Sequence, residues 1–109
     1  MLKIKVKVLK SPAEKIMGLI NSKEAYPVFF KTRWGIHTFK VKFPIDVLIL
    51  DSEYKVVKTV TGLLPGRIFL WSPVYENVVE LPTGEVRRLK IKTGDKIFLV
   101  PEKDNKAGK

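Results

Sequence analysis

The sequence contains no cysteine and a single histidine, His37. Disulfides, thiolate metal sites and cysteine nucleophiles are therefore excluded, as is a multi-histidine metal site within one chain. Glutamine is absent as well. Lysine dominates the basic residues, and the composition leans towards a thermophilic source, where lysine and glutamate are enriched and thermolabile side chains depleted. Long apolar runs are missing too. The longest stretches without a charged side chain, Thr59–Gly66 and Ile68–Tyr75, are eight residues each. A membrane-spanning helix needs about 18 or more apolar residues, so no membrane association is expected. Residues 1–10 alternate lysine with aliphatics and hold no continuous apolar signal-peptide core, which points to the cytoplasm. Acidic residues are scarce: 11 Asp and Glu stand against 21 Lys and Arg, a formal charge of +10.

What remains is a chain of 109 residues, 45% hydrophobic and 29% charged, the composition and size of one globular domain. Leu2, Ile4, Val6 and Val8 alternate with Lys3, Lys5 and Lys7, a period of two that predicts a half-buried strand with a row of ammonium groups facing water. Ser11-Pro12-Ala13-Glu14 reads as a helix start with a capping box, and Ile16, Leu19 and Ile20 give that helix an apolar face. Gly18 inside it costs roughly 1 kcal/mol relative to alanine. Strands are predicted over Pro27–Thr32 and His37–Phe43, with Arg33-Trp34-Gly35 as the turn between them. In the second of these, His37, Phe39, Val41 and Phe43 share one face and Thr38, Lys40 and Lys42 the other.

Pro44 marks a bend, since it cannot donate to a ladder. Ile45–Leu50 is apolar on both faces except for Asp46, the pattern of a central strand. Asp51–Tyr54 is a turn and Lys55–Thr61 the returning strand, the clearest hairpin in the chain. Further strands are expected at Arg67–Trp71, Asn77–Leu81 and Lys96–Val100. Thr83 is placed to cap a single helical turn through Glu85–Leu89. Thr93-Gly94-Asp95 is a plain turn. The expected architecture is mainly β: one compact domain over residues 1–100, a small barrel or sandwich of short strands with two short helices. Residues 101–109 read as a polar, disordered tail.

The run HTFKVKFPIDVLILD, residues 37–51, resembles the signature of the protein family known as domain of unknown function 192, or UPF0127. That signature has a histidine, an aromatic, a methionine and a basic residue, then a Pro-X-Asp step into an apolar strand ending in Asp. The resemblance continues through Lys55-Val56-Val57, Pro65-Gly66 and VVELPTGEVRRLKIKTGDKI, and upstream into Gly18-Leu19. It covers residues 11–100. Ile20 and Val41 stand where the family's motif has methionine, and Ser22 where an arginine is usual. The resemblance implies a compact, mainly β fold with short helices, and no established activity.

His37 and Asp46 are the pair with most chemical potential, because a carboxylate can orient an imidazole and fix its tautomer. Alternatively each is structural, with Asp46 accepting backbone N–H groups freed at the Pro44 bend. No nucleophile elbow or paired carboxylates accompany them. The reading that follows is a non-catalytic binding module, without metal or cofactor, whose small-ligand pocket or rim lies near His37, Asp46, Trp34 and Trp71. The alternative is a polyanion or nucleic-acid binder. Residues 1–42 carry ten Lys and Arg against two Glu, and Lys3, Lys5, Lys7, Lys40 and Lys42 would form its basic face. Against that alternative, lysine rows also protect the edges of sheets. An unrecognised enzyme is the third reading. The remaining aromatics are expected mainly in the core.

Overall fold

The computed structural model describes residues 2–10, 26–39 and 41–102. The helix expected from Ser11 onwards, the Gly18, Ile20 and Ser22 positions of the family motif, Lys40 and the tail beyond residue 102 lie outside the described residues.

Eight strands and one short helix are described: β1 Leu2–Val8, β2 Val28–Lys31, β3 Gly35–His37, β4 Ile45–Leu50, β5 Val56–Leu63, β6 Ile68–Leu70, β7 Asn77–Pro82, α1 Glu85–Arg88 and β8 Ile97–Pro101. Six of the strands form one sheet in the order β5-β4-β7-β2-β1-β8, and β3 and β6 pair separately as a two-stranded arm. The large sheet curls into a half-barrel. Its two edge strands approach each other at one end through a bridge between Lys55 and Lys96. There the Val56 amide donates to the Asp95 carbonyl at 2.8 Å, the Gly94 amide to the Val56 carbonyl at 2.7 Å, and the Ile97 amide to the Tyr54 carbonyl at 2.9 Å. The Thr93-Gly94-Asp95 turn thus helps to close the curl.

The curl separates two apolar clusters. The inner face holds Ile4, Val6, Leu48, Leu50, Val79 and Leu81, with Val86 of α1 and Ile97 packed among them. The outer face of the central strands holds Val28, Phe30, Val47, Ile49 and Val78, covered by Trp71 and by the inward side of the arm, Ile36 and Phe69. This explains the two-faced apolar character of Ile45–Leu50, in which every residue is buried. A strand between two neighbours with both faces covered has no water-facing side.

β1 is parallel to both of its neighbours, β2 and β8. It therefore lies between them in the sheet, with Lys3 and Lys5 in the length paired with β8 and Lys7 where the pairing with β2 begins. The predicted strand over His37–Phe43 is also corrected: extended pairing ends at His37. Thr38, assigned to the polar face, is buried. Its hydroxyl donates to the Leu64 carbonyl at 2.7 Å and accepts from the Arg67 amide at 2.8 Å, and its carbonyl accepts the Gly66 amide at 2.9 Å. The chain leaves the ladder because Thr38 ties it to the Pro65-Gly66 turn instead. The β4–β5 hairpin forms as expected. Asp51 Oδ1 holds its turn by accepting the Glu53 and Lys55 amides, each at 2.9 Å, and these bonds lower the Asp51 pKa.

Candidate functional site

Asp46 lies on the inner face of β4 at the mouth of the curl. Opposite it, β5 carries an irregularity: Ile45 pairs with Leu63 and Val47 with Val60, so Thr61 and Gly62 together face Asp46. Gly62 adopts φ 63°, the left-handed geometry of a bulge that glycine tolerates. The bulge aims its amide at Asp46 Oδ1, 2.9 Å away. Asp46 Oδ2 accepts the amides of Gly84 and Val86, each at 3.0 Å. Thr83 Oγ1 donates to Oδ1 at a longer 3.4 Å.

The carboxylate is thus the N-terminal cap of α1, delivered from another strand. Gly84 is the formal cap residue and makes no side-chain capping bond, so the expected capping by Thr83 is corrected. The donors expected at the Pro44 bend are corrected as well: they come from Gly62, Gly84 and Val86. A carboxylate offers about four lone-pair sites, and all are engaged here, which leaves Asp46 poorly placed to act as a base. A cleft of about 300 Å³ opens over this point, lined by Asp46, Thr61, Gly62, Thr83, Gly84 and Arg87. Its buried carboxylate is already satisfied from within the protein.

His37 is elsewhere. It sits on β3, exposed, opposite Ile68 of β6. Its ring stacks on Phe39 with centroids 4.9 Å apart and planes 23° apart. Its Nδ1 accepts the Phe39 amide at 3.3 Å. The bonding partners of His37 and of Asp46 are entirely different, so the carboxylate does not orient the imidazole.

The arm that carries His37 is built on a close approach. A Cβ at Gly35 would meet Leu70 Cδ2 at 2.5 Å and the Phe69 carbonyl oxygen at 2.7 Å, so only glycine lets β3 and β6 pair here. Trp34 precedes it at φ 81°, a conformation uncommon for any bulky residue. Its carbonyl accepts the Trp71 amide at 3.0 Å, yet its side chain is 67% exposed. Ile36 and Phe69 point inwards, while Ile68 and Leu70 on the opposite side are 63% and 64% exposed. Trp71 lies beneath the arm in the core, its Nε1 donating to the Tyr75 carbonyl at 2.8 Å. Of the four residues expected around one pocket, Trp34 and His37 lie on the arm, Trp71 under its base, and Asp46 at the mouth of the curl.

The basic residues are distributed differently. Lys3, Lys5 and Lys7 are all exposed and share the outer face of β1. Lys3 is paired with Phe98 and Lys5 with Val100, both exposed apolar residues of β8. Lys7 Nζ lies 5.9 Å from the centroid of the Tyr26 ring. Lys42 is exposed.

One buried ionisable group escaped the sequence reading. Glu80 lies on β7 opposite Val28 and Val47, on the outer, apolar face of the sheet. It is 8% exposed, and burial pushes its pKa up to about 7. The alternation in Val78-Val79-Glu80-Leu81 was the available signal: a strand apolar on both faces leaves an interior glutamate no solvated side. Among the described residues no three His, Asp or Glu side chains cluster as metal ligands, and no helix is long and apolar enough to cross a membrane.

A curled, mainly β sheet with a short helix at its mouth and an external two-stranded arm defines the structural class. The chain belongs to the DUF192 family, described as Uncharacterized ACR, COG1430, whose match covers residues 1–99. Similar proteins include the UPF0127 protein PH1112 of Pyrococcus horikoshii, 33% identical over 84% of this chain and 84% of that protein. The UPF0127 protein PYRAB11210 of Pyrococcus abyssi is 43% identical over 62% of this chain. The matched region spans 59% of that relative's length. The source genus of both fits the thermophilic lean of the composition.

Among solved structures, a putative transcription regulator from Sinorhizobium meliloti superposes with a TM-score of 0.74 at 22% identity, over 84% of this chain and 78% of that one. A protein of unknown function from Novosphingobium aromaticivorans gives a TM-score of 0.71 at 20% identity, over 82% of this chain and 70% of that one. At these identities the likeness establishes the fold.

Proposed function

We propose that this protein is a non-catalytic binding module whose recognition surface is the outward side of the β3–β6 arm. The observation that carries this reading is the concentration there of exposed Trp34, Ile68 and Leu70 beside the stacked His37–Phe39 pair. Large exposed apolar side chains gathered on one short arm point to an interaction site. The two side chains best suited to catalysis support the same reading, since Asp46 is saturated by internal donors and the His37 ring, among the described residues, stacks on and bonds to Phe39. The test is a thermal-shift screen of metabolites, nucleic acids and peptides, repeated on Trp34→Ala. Ligands whose shift disappears in the variant support the arm. Ligands whose shift is kept in full place binding elsewhere, with the cleft above Asp46 the first location to examine.

A second reading, polyanion binding on the outer face of β1, is favoured by one observation. Lys3, Lys5 and Lys7 are all exposed on one face of β1, a row of three ammonium groups.

A further inference from the structure

The arm's partner can be narrowed by strain and charge, a step that rests on the arm being the binding surface. Trp34 holds a left-handed backbone at φ 81° while presenting most of its indole to water. A bulky residue in that region carries a conformational penalty that glycine would avoid. That geometry lets the Trp34 carbonyl hold the Trp71 amide at 3.0 Å, but the indole itself is not packed in the core. Beside it stands a preformed aromatic stack, His37 on Phe39 at 4.9 Å, with Phe39 still 46% exposed. Flat π-surfaces held open on a rigid β-arm suit planar partners.

Charge then selects among planar partners. Residues 33–39 and 64–71, which hold the arm and its adjoining turns, contain Arg33 and Arg67 and no Asp or Glu. Arg67 directly precedes Ile68 on the arm and is exposed, as is Lys42. Lys58 Nζ lies 5.2 Å from the centroid of the Phe69 ring under the arm. Arg33 is engaged by Glu76 at 3.5 Å and donates to the Pro73 carbonyl, so it fixes the base of the arm. Exposed aromatic platforms beside the exposed cations Arg67 and Lys42 match a partner that alternates flat bases with phosphates.

We propose that the arm binds single-stranded nucleic acid, with unpaired bases stacking on Trp34 and on the Phe39–His37 pair and phosphates neutralised by Arg67 and Lys42. Base-specific readout is not required, since every base has a π-face.

Fluorescence titration of the full chain with oligo(dT) and oligo(U) at low salt tests this, because Trp34 is exposed and Trp71 buried. Binding should quench the solvent-exposed part of the emission. Trp34→Ala should weaken affinity roughly tenfold or more, in line with the loss of one stacked base. Trp34→Gly should weaken it equally while holding or raising the thermal midpoint, because glycine accepts the backbone geometry. That variant keeps the test sharp if the alanine variant folds poorly. Duplex DNA of the same length should compete weakly, its bases being already stacked.

The proposal is overturned by absence of binding at low salt, by duplex binding of equal strength, or by unchanged affinity in both Trp34 variants. It is also overturned if anionic phosphatidylserine vesicles quench Trp34 and oligonucleotides do not. If oligonucleotides fail but another ligand loses its shift in Trp34→Ala, the arm remains the binding surface and the nucleic-acid assignment alone falls.

Discussion

Asp46 and Glu80 are two buried carboxylates that solve burial in different ways. Around Asp46 the chain supplies three backbone amides within 3.0 Å. Asp46→Ala removes the acceptor for all three and should destabilise the protein by about 1–3 kcal/mol, the range for buried donors left unmade. His37→Ala, at an exposed stack, should change stability by under about 1 kcal/mol. Chemical denaturation of both variants checks the asymmetry. Glu80 faces valines across the sheet, with Lys7 one strand beyond Val28 in the same row.

Glu80's raised pKa sets a pH dependence of definite sign. Below its ordinary value of 4.5 both folded and unfolded chains are protonated. Between there and about 7 only the unfolded chain has lost the proton, so stability falls as pH rises, by about 1.4 kcal/mol per unit. Above about 7 the loss is complete, on the order of 3 kcal/mol. Glu80→Gln should therefore be the more stable protein at pH 8 and show little advantage at pH 4. Thermal midpoints of parent and variant across that range decide it, and parallel profiles would show that Glu80 is solvated.

At the scale of elements, the arm depends on one glycine. Gly35→Ala forces a Cβ against the backbone oxygen of Phe69, and overpacking of this kind costs about 1–3 kcal/mol. The damage should be local: hydrogen exchange should accelerate at Ile36, Phe69 and Leu70 while β4 and β7 stay protected. Uniform loss of protection would mean that the arm and the curled sheet unfold as one unit. The helix α1 shows the opposite dependence. Its four residues are too few to form alone, so Asp46 and the burial of Val86 hold it in place. The Glu85–Arg88 pair, with contacts of 2.7 and 2.8 Å, adds little at the surface.

For the whole molecule the governing quantity is charge, +10 over 109 residues. If the lysine row of β1 binds polyanions, affinity should fall steeply with salt, by a log–log slope of roughly 0.7 to 0.9 per phosphate neutralised. Replacing Lys3, Lys5 and Lys7 together by Gln should then reduce that slope by up to about 2–3 units. An unchanged slope in the triple variant, measured with single-stranded and duplex polymers, would remove β1 from any such interface. Because β1 and the arm are separate elements, the triple variant and Trp34→Ala can be read independently.

Much of the fold was legible in the sequence because it is local. Period-two alternation marked β1, an apolar run marked β4, and Asp51–Tyr54 marked the hairpin. The family resemblance of residues 37–51 pointed to the same mainly β class. What the sequence could not show was set by pairing between distant strands. Only the sheet order places β1 between β2 and β8, and only the bulge at Gly62 brings an amide to Asp46. The position of α1 at the mouth of the curl turns a strand aspartate into a helix cap. Tertiary structure likewise parted His37 from Asp46, nine positions apart in sequence, because Thr38 bonds to the Pro65-Gly66 turn and ends β3. Alternation tells which face a residue occupies, but not what covers that face. The fate of Glu80 and the exposure of Trp34 were therefore decided by packing rather than by pattern.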